Sequence, residues 1–249
     1  MTTALGAASR SIDEAIEISH TAGHRTQIGA SLCLLGRLQT TRGQLSEATK
    51  TYERVLQLTD EHDEGGTARE IGEAHVSIGE LLFEWNGLEG ATRHLLEGIE
   101  RALDWSTIGE VTSRLLELTG TQNWPGRLEE VDADTSHSVV TGHITLARVS
   151  QAQGDAESAL EALHKVRQVA QSPRLSPLRK DRAERWAEAW QARLWIAEGN
   201  LRAANRWAQQ RELGATEDLD YSSELNTLRW PGCSSRRPCM RKRQTFSVG

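Results

Sequence analysis

Gly36-Arg37-Leu38-Gln39-Thr40-Thr41-Arg42-Gly43-Gln44-Leu45-Ser46-Glu47-Ala48 is the stretch that decides the fold. It sets a small residue, a turn glycine seven positions on and an alanine five further. The same offsets return at Gly79, Asn86, Ala91, at Ala147, Gly154, Ala159, and at Ala192, Gly199, Ala204. Each triplet joins two stretches whose apolar residues recur at helical spacing, so each unit reads as a helical hairpin. The small residues let the two helices approach closely enough for larger neighbours to interlock. Repetition of such a unit predicts a stacked array rather than an enzyme built on one core.

Working outward, the first pair runs from Arg25 to Thr41 and from Gln44 to Thr59, and the second from Ala68 to Trp85 and Leu88 to Asp104. The third takes Val139 to Gln153 and Ala156 to Ala170, and the fourth Asp181 to Glu198 and Leu201 to Leu213. Ser11 to Ala22, with Ile12, Ala15, Ile16 and Ser19 on one face, reads as the second helix of a pair whose first is missing. The last alanines of successive units lie 43, 68 and 45 residues apart, so the middle spacing holds about 23 extra residues. Thr107 to Leu118 is expected to form a separate helix there, broken by Trp124-Pro125-Gly126 and followed by an acidic loop, Glu129 to Asp134. Ser172 to Pro177 is a second long connection.

Composition agrees with an all-α fold: only two Phe and two Tyr stand against abundant Ala, Leu, Glu, Arg and Gln. A net charge of −6 disfavours a dedicated nucleic-acid binder. No stretch reaches the roughly 20 apolar residues that span a bilayer, and the start lacks a signal peptide's pattern, so a cytoplasmic location and no membrane partner are expected. Cys33, Cys233 and Cys239 form neither a disulfide framework nor a zinc spacing, and Cys33 is expected to pack in the core.

Aligned on these offsets, the pairs resemble tetratricopeptide repeats, with small residues at the eighth and twentieth positions and a turn residue near the fifteenth. More specifically, Gly79 to Ala91 with His94-Leu95 and Gly98-Ile99, Leu146-Ala147-Arg148 with Gln153-Gly154-Asp155, and Ala197 to Leu201 with Ala203-Ala204 and Trp207 resemble the repeat region of MalT-like ATP-dependent regulators of the LuxR family. The resemblance covers roughly residues 10 to 229. It implies a superhelical array of antiparallel helix pairs whose concave groove receives a small inducer or a protein partner. Members of that family place an ATP-binding module before the repeats and a helix-turn-helix module after them. The sequence has no Gly-x-x-x-x-Gly-Lys-Ser/Thr loop, so ATP and DNA binding are expected only from flanking modules absent from this chain.

The domain expectation is a tetratricopeptide-like unit over residues 1–229 and a basic disordered tail over 230–249. Trp230 to Arg237 interrupts the family pattern, and one codon choice shifted by one base restores an apolar helix there, so the tail reads as out-of-frame sequence.

In tetratricopeptide arrays the first helix of each pair lines the groove. The ninth position of each unit is Arg37, Glu80, Arg148 and Arg193, with Gln151 and Trp186 also facing inward; these six are the candidate ligand-binding residues. Three arginines along a groove suit an anionic ligand or an acidic peptide terminus, while the plainer alternative is a solvated polar face with weak ion pairs. Trp186, Trp190, Trp195 and Trp207 are expected mainly to pack between helices, Trp186 being the most open. His20 and His24 have a chelating spacing but no acidic partner, and Asp60 to Glu64 lacks calcium-loop spacing. No catalytic residues, cofactor or metal site is expected: no nucleophile elbow, zinc-protease helix or cysteine–histidine pairing occurs. The expected function is a non-catalytic binding module, with a stand-alone adaptor for protein–protein interaction as the alternative.

Overall fold

The computed structural model describes residues 2–58, 68–114 and 136–211. Among these residues there are nine helices: α1 (Thr2–Ala22), α2 (Arg25–Thr41), α3 (Leu45–Leu56), α4 (Ala68–Glu84), α5 (Leu88–Arg114), α6 (Ser136–Ala152), α7 (Ala156–Ala170), α8 (Pro177–Ala197) and α9 (Leu201–Gln210). The acidic run Asp60 to Glu64, the Trp124-Pro125-Gly126 break, the acidic loop Glu129 to Asp134 and the tail 230–249 lie outside the described residues.

Each helix packs on its sequence neighbour, and α2, α4, α6 and α8 also pack on one another in that order. The array therefore has an inner layer, made by the first helix of each pair, and an outer layer of α1, α3, α5, α7 and α9. The fold is an all-α array of antiparallel helix pairs, as the repeated triplet requires.

The hairpin turns share one closure. Gln44 N donates to Gln39 O at 2.9 Å, Gly87 N to Leu82 O at 2.8 Å, Asp155 N to Ser150 O at 2.9 Å and Asn200 N to Trp195 O at 2.7 Å. This six-to-one bond needs a left-handed residue just before it, supplied by Gly43 at φ 77°, Asn86 at 60°, Gly154 at 80° and Gly199 at 75°. Asp155 and Asn200 then cap the following helices through their side chains, accepting from Ser158 N at 3.0 Å and Ala203 N at 3.3 Å.

Small residues set the depth of each pair. A methyl group on Gly36 would stand 2.6 Å from the ring of Tyr52, and one on Gly79 2.6 Å from Leu95. Gly72 and Gly98 meet backbone to backbone where α4 crosses α5: a Cβ on Gly98 would lie 2.8 Å from Gly72 O. Tyr52 and Leu95 are consequently buried, and burial pushes the Tyr52 phenol up to about 12. Cys33 is buried beside Glu70, and loss of hydration pushes its thiol up.

Three elements differ from the sequence expectation, the first being α1, which starts at Thr2 rather than Ser11. Thr107 to Arg114 continues α5 without a break instead of opening a separate helix. Nothing in that segment stops it: the first helix breaker after Gly109 is Gly120, and the breaking Pro125 is further on. Likewise α8 begins at Pro177, four residues before the expected Asp181, because the fixed φ of proline suits the first helical position.

Candidate functional site

The inner layer presents α2, α4, α6 and α8 side by side, and two adjoining pockets open along it. The first, of about 230 Å³, is lined by Arg37, Tyr52, Glu73, Glu80, His137 and Thr141 among others. The second, of about 630 Å³, shares Arg37, Glu73, His137 and Ser138 and extends past Arg69, Arg179, Arg182 and Trp186 to the start of α8. Side chains far apart in sequence meet there because successive first helices lie in contact.

Arg37 and Glu80 both face the smaller pocket. Arg37 Nε stands 3.5 Å from Glu73 Oε1, an ion pair too long for a good hydrogen bond. Burial raises the proton affinity of Glu73 despite the arginines near it. Glu80 keeps some accessible surface, yet lost hydration dominates it; with Arg148 opposing and Glu84 adding to the rise, its carboxyl is pushed up to about 7. Thr141 Oγ1 is buried beside the same pocket with no hydrogen-bond partner.

Arg148 and Arg193 are placed differently. Arg148 Nη2 donates to Glu84 Oε1 at 2.7 Å, and its guanidinium lies 4.2 Å from the centre of the Phe83 ring and 5.3 Å from that of Trp190. Arg193 covers the same Trp190 at 4.1 Å. Three inner helices, α4, α6 and α8, are thus joined by alternating aromatic and guanidinium groups. Gln151 is partly buried and lines neither pocket.

Trp186 is partly buried, packs against the core under α6 and α8, and borders the larger pocket. The guanidinium of Arg182 lies 5.0 Å from its ring centre. Trp190 packs between two core clusters, and Trp207 donates to Glu188 Oε2 at 3.3 Å, so packing accounts for these tryptophans.

The ninth-position rule found Arg37 and Glu80 but missed Glu73, His137, Arg179 and Arg182. Helical steps would have reached them: Arg182, Trp186 and Arg193 share one face of α8, as do His137, Thr141 and Arg148 on α6. Loss of hydration, then Arg37, Arg182 and Arg179, lower the proton affinity of His137. His20 and His24 are exposed at the α1–α2 turn, and no metal-binding cluster occurs among the described residues.

A groove lined by the first helices of stacked pairs, with small residues and left-handed turns at fixed offsets, defines a tetratricopeptide-like helical repeat protein. The family model described as the MalT-like TPR region matches residues 1–134, and the chain belongs to that family. The helix pairs continue beyond the matched segment to Gln210. No curated protein and no solved structure matches the chain. No helix among the described residues is long and apolar enough to cross a membrane.

Proposed function

We propose that this chain is a non-catalytic sensor module whose inner groove receives a ligand, as the inducer-sensing region of a MalT-like LuxR-family regulator does. One observation carries this: two contiguous pockets are lined by polar and charged side chains from four successive inner helices. A ligand seated across α2, α4, α6 and α8 touches several repeats at once. It therefore favours one set of inter-repeat angles over another, and the array transmits that preference along its length. The residues proposed to face such a ligand are Arg37, Glu80, His137, Arg182 and Trp186; Arg148 and Arg193 hold the repeats in register. The repeat unit is assigned to residues 1–229.

Thermal-shift measurements with panels of small metabolites and of short peptides test this, using His137→Trp as a block. His137 is exposed and lines both pockets. Compounds that raise the melting temperature of the native chain should leave the blocked variant unmoved. Equal stabilisation of both proteins would place binding outside the groove, and stabilisation by peptides alone would favour an adaptor.

A further inference from the structure

The crossing of α4 and α5 carries a pair of histidines that lines neither groove pocket. His75, on α4, and His94, on α5, bring their Nδ1 atoms to 3.1 Å, with the ring centres 5.0 Å apart and the ring planes at 37°. They lie 19 positions apart on different helices, so no chelating spacing marks them in the sequence. Small residues hold them together. Gly72 and Gly98 cross backbone to backbone on one side, and on the other Gly79 lies against Leu95 and the carbonyl of Ala91. His75 stands one turn from both Gly72 and Gly79, and His94 one turn from both Ala91 and Gly98. The two side chains therefore project from a crossing fixed on either flank.

Two nitrogens at this separation suit two arrangements. In one, an Nδ1–H donates to the other Nδ1, which needs opposite tautomers on the two rings. In the other, both Nδ1 lone pairs point at one metal ion. With bonds of about 2.0–2.1 Å, nitrogens 3.1 Å apart subtend roughly 100° at the metal, and ring centres 5.0 Å apart, each ring aimed at the ion, subtend about the same angle. That value falls between the right angle of a square or octahedral site and the tetrahedral angle.

Both rings are partly buried, so solvent reaches the pair. Loss of hydration, more than any neighbouring charge, lowers the proton affinity of both imidazoles. Two neutral rings need give up no net proton to a metal, since the one that carries its proton on Nδ1 takes it at Nε2 instead. Carboxylates act on the pair too: Glu97, one turn beyond His94, favours positive charge at both rings and Glu53 of α3 at His94, with Arg101 and Arg93 opposing. Arg101 Nε in turn donates to Glu97 Oε1 at 2.9 Å. Among the described residues no group of three His, Cys, Asp or Glu is placed to hold a metal, so the pair is the two-ligand case.

We propose that His75 and His94 bind a divalent transition-metal ion of imidazole preference, such as Zn2+, through their two Nδ1 atoms, with water completing the coordination. Imidazole suits Zn2+, Cu2+ and Ni2+, and two rings without a thiolate make an open, exchangeable site rather than a closed structural one. An ion bound there ties together the two helices of the second pair. The site stands apart from the groove reading and does not depend on it.

Calorimetric titration of the metal-free full chain with Zn2+ tests it. The native chain should bind Zn2+ and melt at a higher temperature in its presence. His75→Gln and His94→Gln should each weaken binding by about tenfold or more, through loss of one of the two ligands. His20→Gln, which breaks the exposed pair at the α1–α2 turn, should bind as the native chain does. A second measurement needs no variant: substoichiometric Cu2+ should broaden the ring proton resonances of His75 and His94 ahead of those of His20, His24 and His164. Absence of Zn2+ binding, or binding that survives both His75→Gln and His94→Gln, would overturn the proposal. So would Cu2+ broadening that starts at His20 and His24 or spreads over all the histidines alike, and the pair would then be a hydrogen bond between helices.

Discussion

The two ends of the inner groove use the same residue type in opposite ways. Around α2 and the start of α8, Arg37 and Arg182 border open pocket space with loose or aromatic contacts. Around the ends of α4, α6 and α8, Arg148 and Arg193 are consumed by Phe83, Trp190 and Glu84. Register in the repeat does not decide which: Arg37, Arg148 and Arg193 occupy equivalent positions. The neighbouring aromatics decide. A guanidinium beside a tryptophan and a phenylalanine becomes packing, whereas one beside a cavity stays available to a ligand.

The sharpest way to break this contrast is to remove the shared ring. Trp190→Ala strips the face from two arginines and empties part of two core clusters, so it should cost about 3–5 kcal/mol in urea unfolding. Arg148→Ala follows. It leaves Glu84 unpaired and loses two ring contacts on a side chain only 11% exposed, which should cost on the order of 2 kcal/mol. Arg182→Gln, at the open end, should change stability by less than about 0.5 kcal/mol. Equal costs for Arg148→Ala and Arg182→Gln would erase the distinction.

Titration sharpens the same contrast. Glu80 has its carboxyl raised to about 7, so its ionisation opposes folding as pH rises from the ordinary carboxylate range through neutrality. Glu80→Gln should therefore stabilise the chain at pH 8, by on the order of 1–2 kcal/mol, and have little effect at pH 4. Buried histidines act with the opposite pH sense. Burial lowers His143 to about 3 and His75 to about 4. The unfolded chain binds their protons first, and stability should fall as pH drops below about 6.5, by up to about 1.4 kcal/mol per pH unit for His143 and by less for half-buried His75. His143→Leu should flatten part of that acid slope in melting experiments.

Much of the fold was legible because the repeat is a local rule. The offsets of small residue, turn and alanine placed α2 and α7 with their bounds and the other pairs within a few residues, since the left-handed turn and the close helix crossing each require particular residue types. The continuation of α5 past Asp104 was not legible, because the repeat offsets say where a pair closes and not how far its second helix runs on. The candidate site was legible only in part. Periodicity tells which face of a helix is inward, hence Arg37 and Glu80, but not which inward arginine meets an aromatic ring from another helix. His143 is a similar case: its burial with both ring nitrogens unpartnered depends on neighbouring helices rather than on its own.

The claim that the inner groove is where a ligand is received is tested most directly at His137, by following its ring proton resonances while compounds that raise the melting temperature of the native chain are added. Binding against Arg37, Arg182 and Trp186 changes the surroundings of the imidazole, so the His137 signals should move while those of exposed His20 and His164 stay in place. Unchanged His137 signals under saturating probe, or equal movement of all three histidines, would contradict the account.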